Sequence, residues 1–248
     1  MTLYYLNIGL EYDKYIKNEN ELRYDFQLRT RFISNYFSKK LRKLRFKTDG
    51  SFNMVSIALL ENEIEKPSIV PIDVLNVQIP FDRERYLRIR GTSDFSYYIE
   101  LLELGFKKAS EFKKLPVDEF SQMLNDFIKS NCKNEWLEFK KKFKNDDLEI
   151  ILKSDFTTNH FQVIATINRI STKKELVTGV IITTEPYEVV FDSLIDTVLI
   201  EKNILVKNKF GKTILEINKS DVFNGVLNYQ IIGNKEDVDR LNYKINVA

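Results

Sequence analysis

The spacing of the apolar residues changes near residue 146, and this change limits the fold more than any other feature of the chain. Before it, apolar residues recur every three or four positions over residues 21–46, 95–112 and 116–143, which is typical of amphipathic helices. After it, short β-rich runs alternate with polar turns. Connections this short predict antiparallel pairing, because a parallel crossover needs a dozen or more residues. The β-rich runs are 148–152, 161–170, 176–184, 196–206 and 213–217.

These patterns predict an α+β fold. A helix-rich amino-terminal half with a few strands, residues 1–146, should be followed by a mostly antiparallel β-meander, residues 147–248. No stretch rich in Gly, Pro or Ser separates the halves, so we expect them to dock. Further strands are predicted at 3–10, 51–60, 69–81, 83–90 and 226–232, and a short helix at 235–241.

The third helical segment begins at Pro116 and loses its apolar stripe near Cys132. The stripe resumes through Trp136, Phe139 and Phe143, whose spacing of three and four predicts a helix pair or a kinked helix. On such a helix the aromatic residues would pack into the core, and the neighbouring lysines would form the exposed face.

The chain has one histidine, His160, and one cysteine, Cys132. Most soft-metal sites need several such ligands, and most nucleophilic triads need a histidine base. We therefore expect neither a metal nor a cofactor, and catalysis is not the favoured interpretation. A lone cysteine and a start without a signal-like apolar run favour the cytoplasm, and no apolar stretch approaches the length of a membrane span.

The densest basic stretch lies at the end of the first long helix. Residues 1–60 carry 11 Lys and Arg against 6 acidic residues, a net charge of +5. A phosphate backbone could bind there by releasing counterions, which makes nucleic-acid binding one alternative function. The other explanation is that cations gather in a last helical turn because they complement the helix dipole. The candidate residues are Lys39, Lys40, Arg42, Lys43 and Arg45.

A second candidate surface lies in residues 83–90, where charged and apolar residues alternate. If this segment is a strand, Tyr86, Arg88 and Arg90 share one face. Arginine and tyrosine are frequent anchors in interfaces, so this face is a candidate contact for a partner. A solvated strand face paired with acids would have the same pattern.

Carboxylates permit catalysis without histidine, and three groups lie close in sequence. Paired carboxylates can divide acid and base roles or hold a hard cation, which makes a metal-dependent hydrolase another alternative. In a chain this rich in acids such pairs also arise by chance. The groups are Asp82 with Glu84, Asp147 with Glu149, and Asp192 with Asp196 and Glu201.

The leading hypothesis is a cytoplasmic protein-binding module that acts by steric occlusion. A bacterial toxin-immunity protein is one concrete version, because such proteins are often small α+β domains without cofactors; this is an analogy of class. The expected partner is a protein. The sequence leaves the oligomeric state and the partner open.

Overall fold

The computed structural model describes residues 1–62, 64–187 and 194–244. The chain divides into two compact units, residues 1–133 and 134–248. The first unit contains helices and a four-stranded sheet, and the second contains two four-stranded antiparallel sheets. The predicted α+β class, with a helix-rich first part and an antiparallel second part, is confirmed.

In the first unit, three parallel strands form the sheet together with one short antiparallel strand, in the order β1-β2-β4-β3. The long helix α2 connects β1 to the parallel strand β2, as a parallel pair requires. The elements are β1 (Tyr5–Leu10), α1 (Tyr12–Tyr15), α2 (Asn20–Leu44), β2 (Met54–Leu60), β3 (Ser68–Val70), β4 (Val74–Pro80), α3 (Arg83–Ile89), α4 (Ser96–Phe112) and α5 (Val117–Lys129).

Helix α2 covers the free edge of β1 with a row of hydroxyl groups. Thr30, Ser34 and Ser38 are four residues apart, so they lie on one face of the helix. The Leu6 amide donates to Ser38 Oγ at 3.1 Å, and the Ile8 amide donates to Ser34 Oγ at 3.4 Å. The hydroxyls of Ser38 and Thr30 donate to the carbonyls of Leu6 and Ile8, both at 3.3 Å. The side chains of the helix therefore bond to the backbone groups of Leu6 and Ile8 on the free edge of β1.

The other buried stripe of α2 enters an aromatic core. Phe26 lies with its ring centroid 4.9 Å from that of Tyr86 and 5.7 Å from that of Phe81. Further along the helix, Phe37 contacts Phe120 of α5 at 5.2 Å. All five side chains are at most 5 % exposed. Packing of this stripe, rather than helix propensity, accounts for most of the stability of α2.

In the second unit, the sheets follow chain order, β5-β6-β7-β8 and β9-β10-β11-β12. Alternate residues of β6 and β7 are buried, so one face of the first sheet forms a core. The elements are β5 (Asn134–Phe143), β6 (Leu148–Phe156), β7 (Phe161–Arg169), β8 (Lys174–Thr184), β9 (Thr197–Ile200), β10 (Ile204–Lys207), β11 (Thr213–Ile217), α6 (Lys219–Phe223), β12 (Tyr229–Ile231) and α7 (Lys235–Leu241).

The strand predicted at residues 83–90 is wrong, because the segment forms the helix α3. The Asp82 side chain accepts a hydrogen bond from the Arg85 amide at 2.9 Å and so caps the helix. A cap of this type satisfies one of the amides that have no partner within the first turn. The cap and the burial of Tyr86 outweigh the alternating pattern of the segment.

The helix predicted through Trp136 is also wrong, because Asn134–Phe143 forms β5. The register of β5 against β6 shifts between Leu137 and Phe139. An extra residue in a strand reverses the alternation of faces. Trp136 and Phe139 therefore share a face despite their spacing of three, and a spacing of four puts Phe143 there too. The bulge thus imitates helical periodicity, which is why the spacing of these residues predicted a helix.

We predict that the double substitution Ser34→Ala and Ser38→Ala lowers the free energy of unfolding by about 2 to 4 kcal/mol, because it leaves two buried amides of β1 without acceptors. Urea unfolding followed by circular dichroism measures this change. The control is Ser110→Ala, which removes a hydroxyl bonded only within its own helix and should cost about 0.5 kcal/mol or less. Equal losses in the two proteins would contradict the role of α2 at the sheet edge.

Candidate functional site

The five predicted basic residues lie in the last two turns of α2 and directly after it. Arg42 donates to the Ser38 carbonyl at 3.2 Å and lies 5.4 Å from the centroid of the Tyr5 ring. The Lys40 ammonium lies 5.4 Å from the Tyr36 ring. Lys43 and Arg45 are exposed, and Lys39 is half-buried. Arg42 thus contacts the helix backbone and the Tyr5 ring, and Lys40 contacts the Tyr36 ring. Nucleic-acid binding stays a prediction.

The three residues predicted to share a strand face do not share a surface. On α3 the Tyr86 ring is fully buried, and its hydroxyl donates to Asp25 Oδ2 at 2.6 Å. Arg90, one turn later, reaches the same carboxylate at 3.4 Å. Arg88 is exposed and lies apart from this contact. Tyr86 is therefore a core residue that joins α3 to α2, and it is not available to a surface partner.

Two of the predicted carboxylates form local hydrogen bonds. Asp82 caps α3, and Asp147 accepts from the hydroxyl and amide of Ser171, which lowers the pKa of Asp147. Asp192 lies outside the described residues. Within residues 1–62, 64–187 and 194–244, no group of three or more His, Cys, Asp and Glu could hold a metal ion. The carboxylate hydrolase stays an untested alternative.

The lone histidine and cysteine lie far apart in sequence and in different units. His160 Nε2 lies 3.8 Å from Asp155 Oδ2, beside the turn that joins β6 to β7. Cys132 follows α5 and is half-buried, and burial raises the pKa of its thiol. A raised pKa disfavours the reactive thiolate.

The structure brings together a groove that the sequence did not reveal. Helices α4 and α5 each present residues at positions i, i+3, i+4 and i+7 to it, and it encloses about 400 Å³. Below this surface the rings of Phe106 and Phe120 stack with a centroid separation of 3.8 Å. We call this the α4–α5 groove. It is lined by Glu100, Glu103, Leu104, Phe106, Lys107, Val117, Phe120, Ser121 and Leu124.

The groove offers apolar contact with a partly acidic border. Leu104 is 47 % exposed and Val117 is 41 % exposed, which leaves apolar surface uncovered. Glu100 pairs with Arg85 at 2.6 Å. Glu103 makes no ion pair within the described part of the chain. Such a surface can take apolar side chains, and its free carboxylate favours a cation beside them.

One signal in the sequence could have indicated this groove. The buried stripe of α4 consists of Tyr97, Tyr98, Leu101, Leu102, Gly105, Phe106 and Ala109. Leu104 lies off that stripe. An apolar residue outside the core face of a helix is a candidate for contact with another molecule.

Comparison of the chain with models of known families, with curated proteins and with solved structures found no match. Among the described residues, no helix combines the length and the apolar character needed to cross a membrane.

We predict that the protein loses stability as the pH rises above about 10. Burial raises the pKa of Tyr15 to about 12, and burial also raises the pKa values of Tyr86 and Tyr98 above their ordinary value. The folded chain then keeps phenolic protons that the unfolded chain releases near pH 10, so rising pH favours unfolding. Below that pH this contribution is fully present.

Urea unfolding of the wild type and of Tyr86→Phe from about pH 9 to about pH 11 tests the prediction. The variant should lose about 1 kcal/mol at neutral pH, because the Asp25 hydrogen bond is missing. Its stability should then fall less steeply with pH. Tyr4→Phe, at a residue that is 41 % exposed, is the control and should follow the wild type. Parallel curves for Tyr86→Phe and the wild type would contradict the assignment.

Proposed function

We propose that this protein is a protein-binding module that acts by steric occlusion, and that the α4–α5 groove receives the partner. The observation that carries the proposal is the exposed apolar surface of Leu104 and Val117 above the stacked pair of Phe106 and Phe120. Exposed apolar patches bordered by polar residues mark interaction surfaces in soluble proteins. A rigid aromatic base holds the groove open for a side chain of the partner.

The geometry favours a helical segment of the partner. Two neighbouring helices that present residues at i, i+3, i+4 and i+7 form a groove in which a third helix can pack. The partner should present apolar residues at matching spacing. The free carboxylate of Glu103 favours a lysine or arginine next to them, and Lys107 at the same border favours an acid further along.

The more specific version of the proposal is a bacterial immunity protein in the cytoplasm. It rests on class analogy, since small α+β domains without cofactors often act in this way. In this version the bound partner is a toxin, and the body of the protein covers a surface that the toxin needs. An adjacent gene for a secreted toxin would support this version.

The test is affinity capture from the source cells, followed by reconstitution with the purified partner. We expect Leu104→Lys to weaken binding by about tenfold or more, because it removes an apolar anchor and adds a positive charge beside Lys107. Leu87→Lys is the matched control, since Leu87 is 43 % exposed and lies on α3 outside the groove. It should bind like the wild type.

Circular dichroism should show that both variants are folded. Equal affinity of wild type and Leu104→Lys for the reconstituted partner would show that the groove is not the docking surface. Failure to reconstitute any complex with a Kd below about 10 µM would contradict the binding function itself.

A further inference from the structure

A second cavity in the first unit lies over the open face of the parallel strands. It encloses about 630 Å³, within the range of small-molecule sites. Strands β1, β2 and β4 form its floor, and one face of α2 forms a wall with Arg23, Gln27 and Arg31. We call it the sheet cleft. It shares no lining residue with the α4–α5 groove.

The floor of the sheet cleft carries a row of polar side chains in register. Asn7 of β1 is the partner of Ser56 in β2, and Ser56 is the partner of Asn76 in β4. Because neighbouring strands lie about 4.8 Å apart, the row extends over about 10 Å. All three residues are half-buried and line the cavity. The row thus runs across the strands at one level of the cleft.

The polar side-chain atoms of this row have no hydrogen-bond partner among the described residues. In the part of the chain that the structure describes, the side chains of Asn7, Ser56 and Asn76 form no hydrogen bond with another residue. Parallel strands usually carry apolar residues on both faces. Two amides and a hydroxyl supply both donors and acceptors. They form a surface suited to a ligand with several hydroxyl or amide groups.

The wall of the cleft carries the positively charged side chain of Arg23, whose hydrogen-bond partners are neutral. Arg23 donates to Asn20 Oδ1 at 2.9 Å and to Gln27 Oε1 at 3.2 Å, and its guanidinium lies 5.0 Å from the centroid of the Tyr12 ring. Within the described residues, no carboxylate lies within ion-pair distance of Arg23. These contacts fix the side chain without neutralising it. A fixed guanidinium recognises carboxylate groups well.

Two carboxylates also line the cleft, both beside α1. Glu11 accepts from the Lys14 amide at 2.8 Å and caps α1, and Asp13 is exposed in the first turn of that helix. The carboxylate of Glu11 thus bonds to a backbone amide at the N-terminus of α1. The anionic group of a ligand would face Arg23, with its neutral polar groups over the floor.

We propose that the sheet cleft binds a small organic carboxylate that also carries hydroxyl or amide groups. The carboxylate pairs with Arg23, and the remaining polar groups bond to the row of Asn7, Ser56 and Asn76. The site is independent of the protein-binding groove. Each can therefore fail without the other.

The test uses two pairs of probes that differ in charge: N-acetylglutamate against N-acetylglutamine, and glucuronate against glucose. Binding is followed in ¹H–¹⁵N spectra through the side-chain amide signals of Asn7 and Asn76. We expect at least one acid to shift both signals saturably with a Kd below about 1 mM. Its neutral counterpart should bind about tenfold more weakly or not at all, because it lacks the charge that Arg23 recognises.

Three variants assign the binding. Arg23→Gln should lower the affinity for the acid by about tenfold. Asn76→Leu should lower the affinity for the acid and for its neutral counterpart by the same factor. Arg88→Gln removes the same charge from an exposed residue outside the cleft and should change nothing. The proposal is overturned if neither acid shifts the amide signals at about 10 mM. It is also overturned if Arg23→Gln binds the acid as tightly as the wild type.

Discussion

The hydrogen bonds between the hydroxyl groups of α2 and the edge of β1 determine how α2 packs in the first unit. An edge strand with free amides and carbonyls is a template for pairing with another chain. Here Ser38 and Ser34 accept from β1, and Thr30 donates back to it. These contacts fix the rotation of α2 about its own axis. One face then bears Phe26 and Phe37 in the core, and another bears Arg23 and Gln27 beside the open sheet.

The two surfaces of the first unit differ because different elements cover the sheet. On one side, α4 approaches β2 so closely that a Cβ atom on Gly105 would lie 2.6 Å from the Ile57 side chain. Packing at that distance leaves no space for a ligand between α4 and β2. The opposite face bears Asn7, Ser56 and Asn76 and encloses a cavity. The apolar groove therefore suits a protein segment, whereas the polar cleft suits a small molecule.

The sequence predicted the elements whose periodicity is undisturbed. Residues 21–46 and 95–112 have an uninterrupted helical stripe, and α2 and α4 lie there. The pattern failed where a local feature changed it. A cap at Asp82 made a helix of a segment with strand alternation, and a bulge after Leu137 gave a strand the spacing of a helix. Such features depend on single contacts, which periodicity does not register.

The sheet cleft was harder to predict because it depends on residues that are distant in sequence. Asn7, Ser56 and Asn76 come from three separate strands, and only the register of the sheet puts them in one row. Conversely, the basic stretch that stood out in the sequence includes Arg42, whose hydrogen bond to Ser38 and position over Tyr5 give it a role at the helix end. Charge density in a sequence does not distinguish a cation that completes a helix from one that meets a partner. A residue type becomes informative about function only when its contacts leave part of its binding capacity unused, as those of Arg23 and Asn76 do.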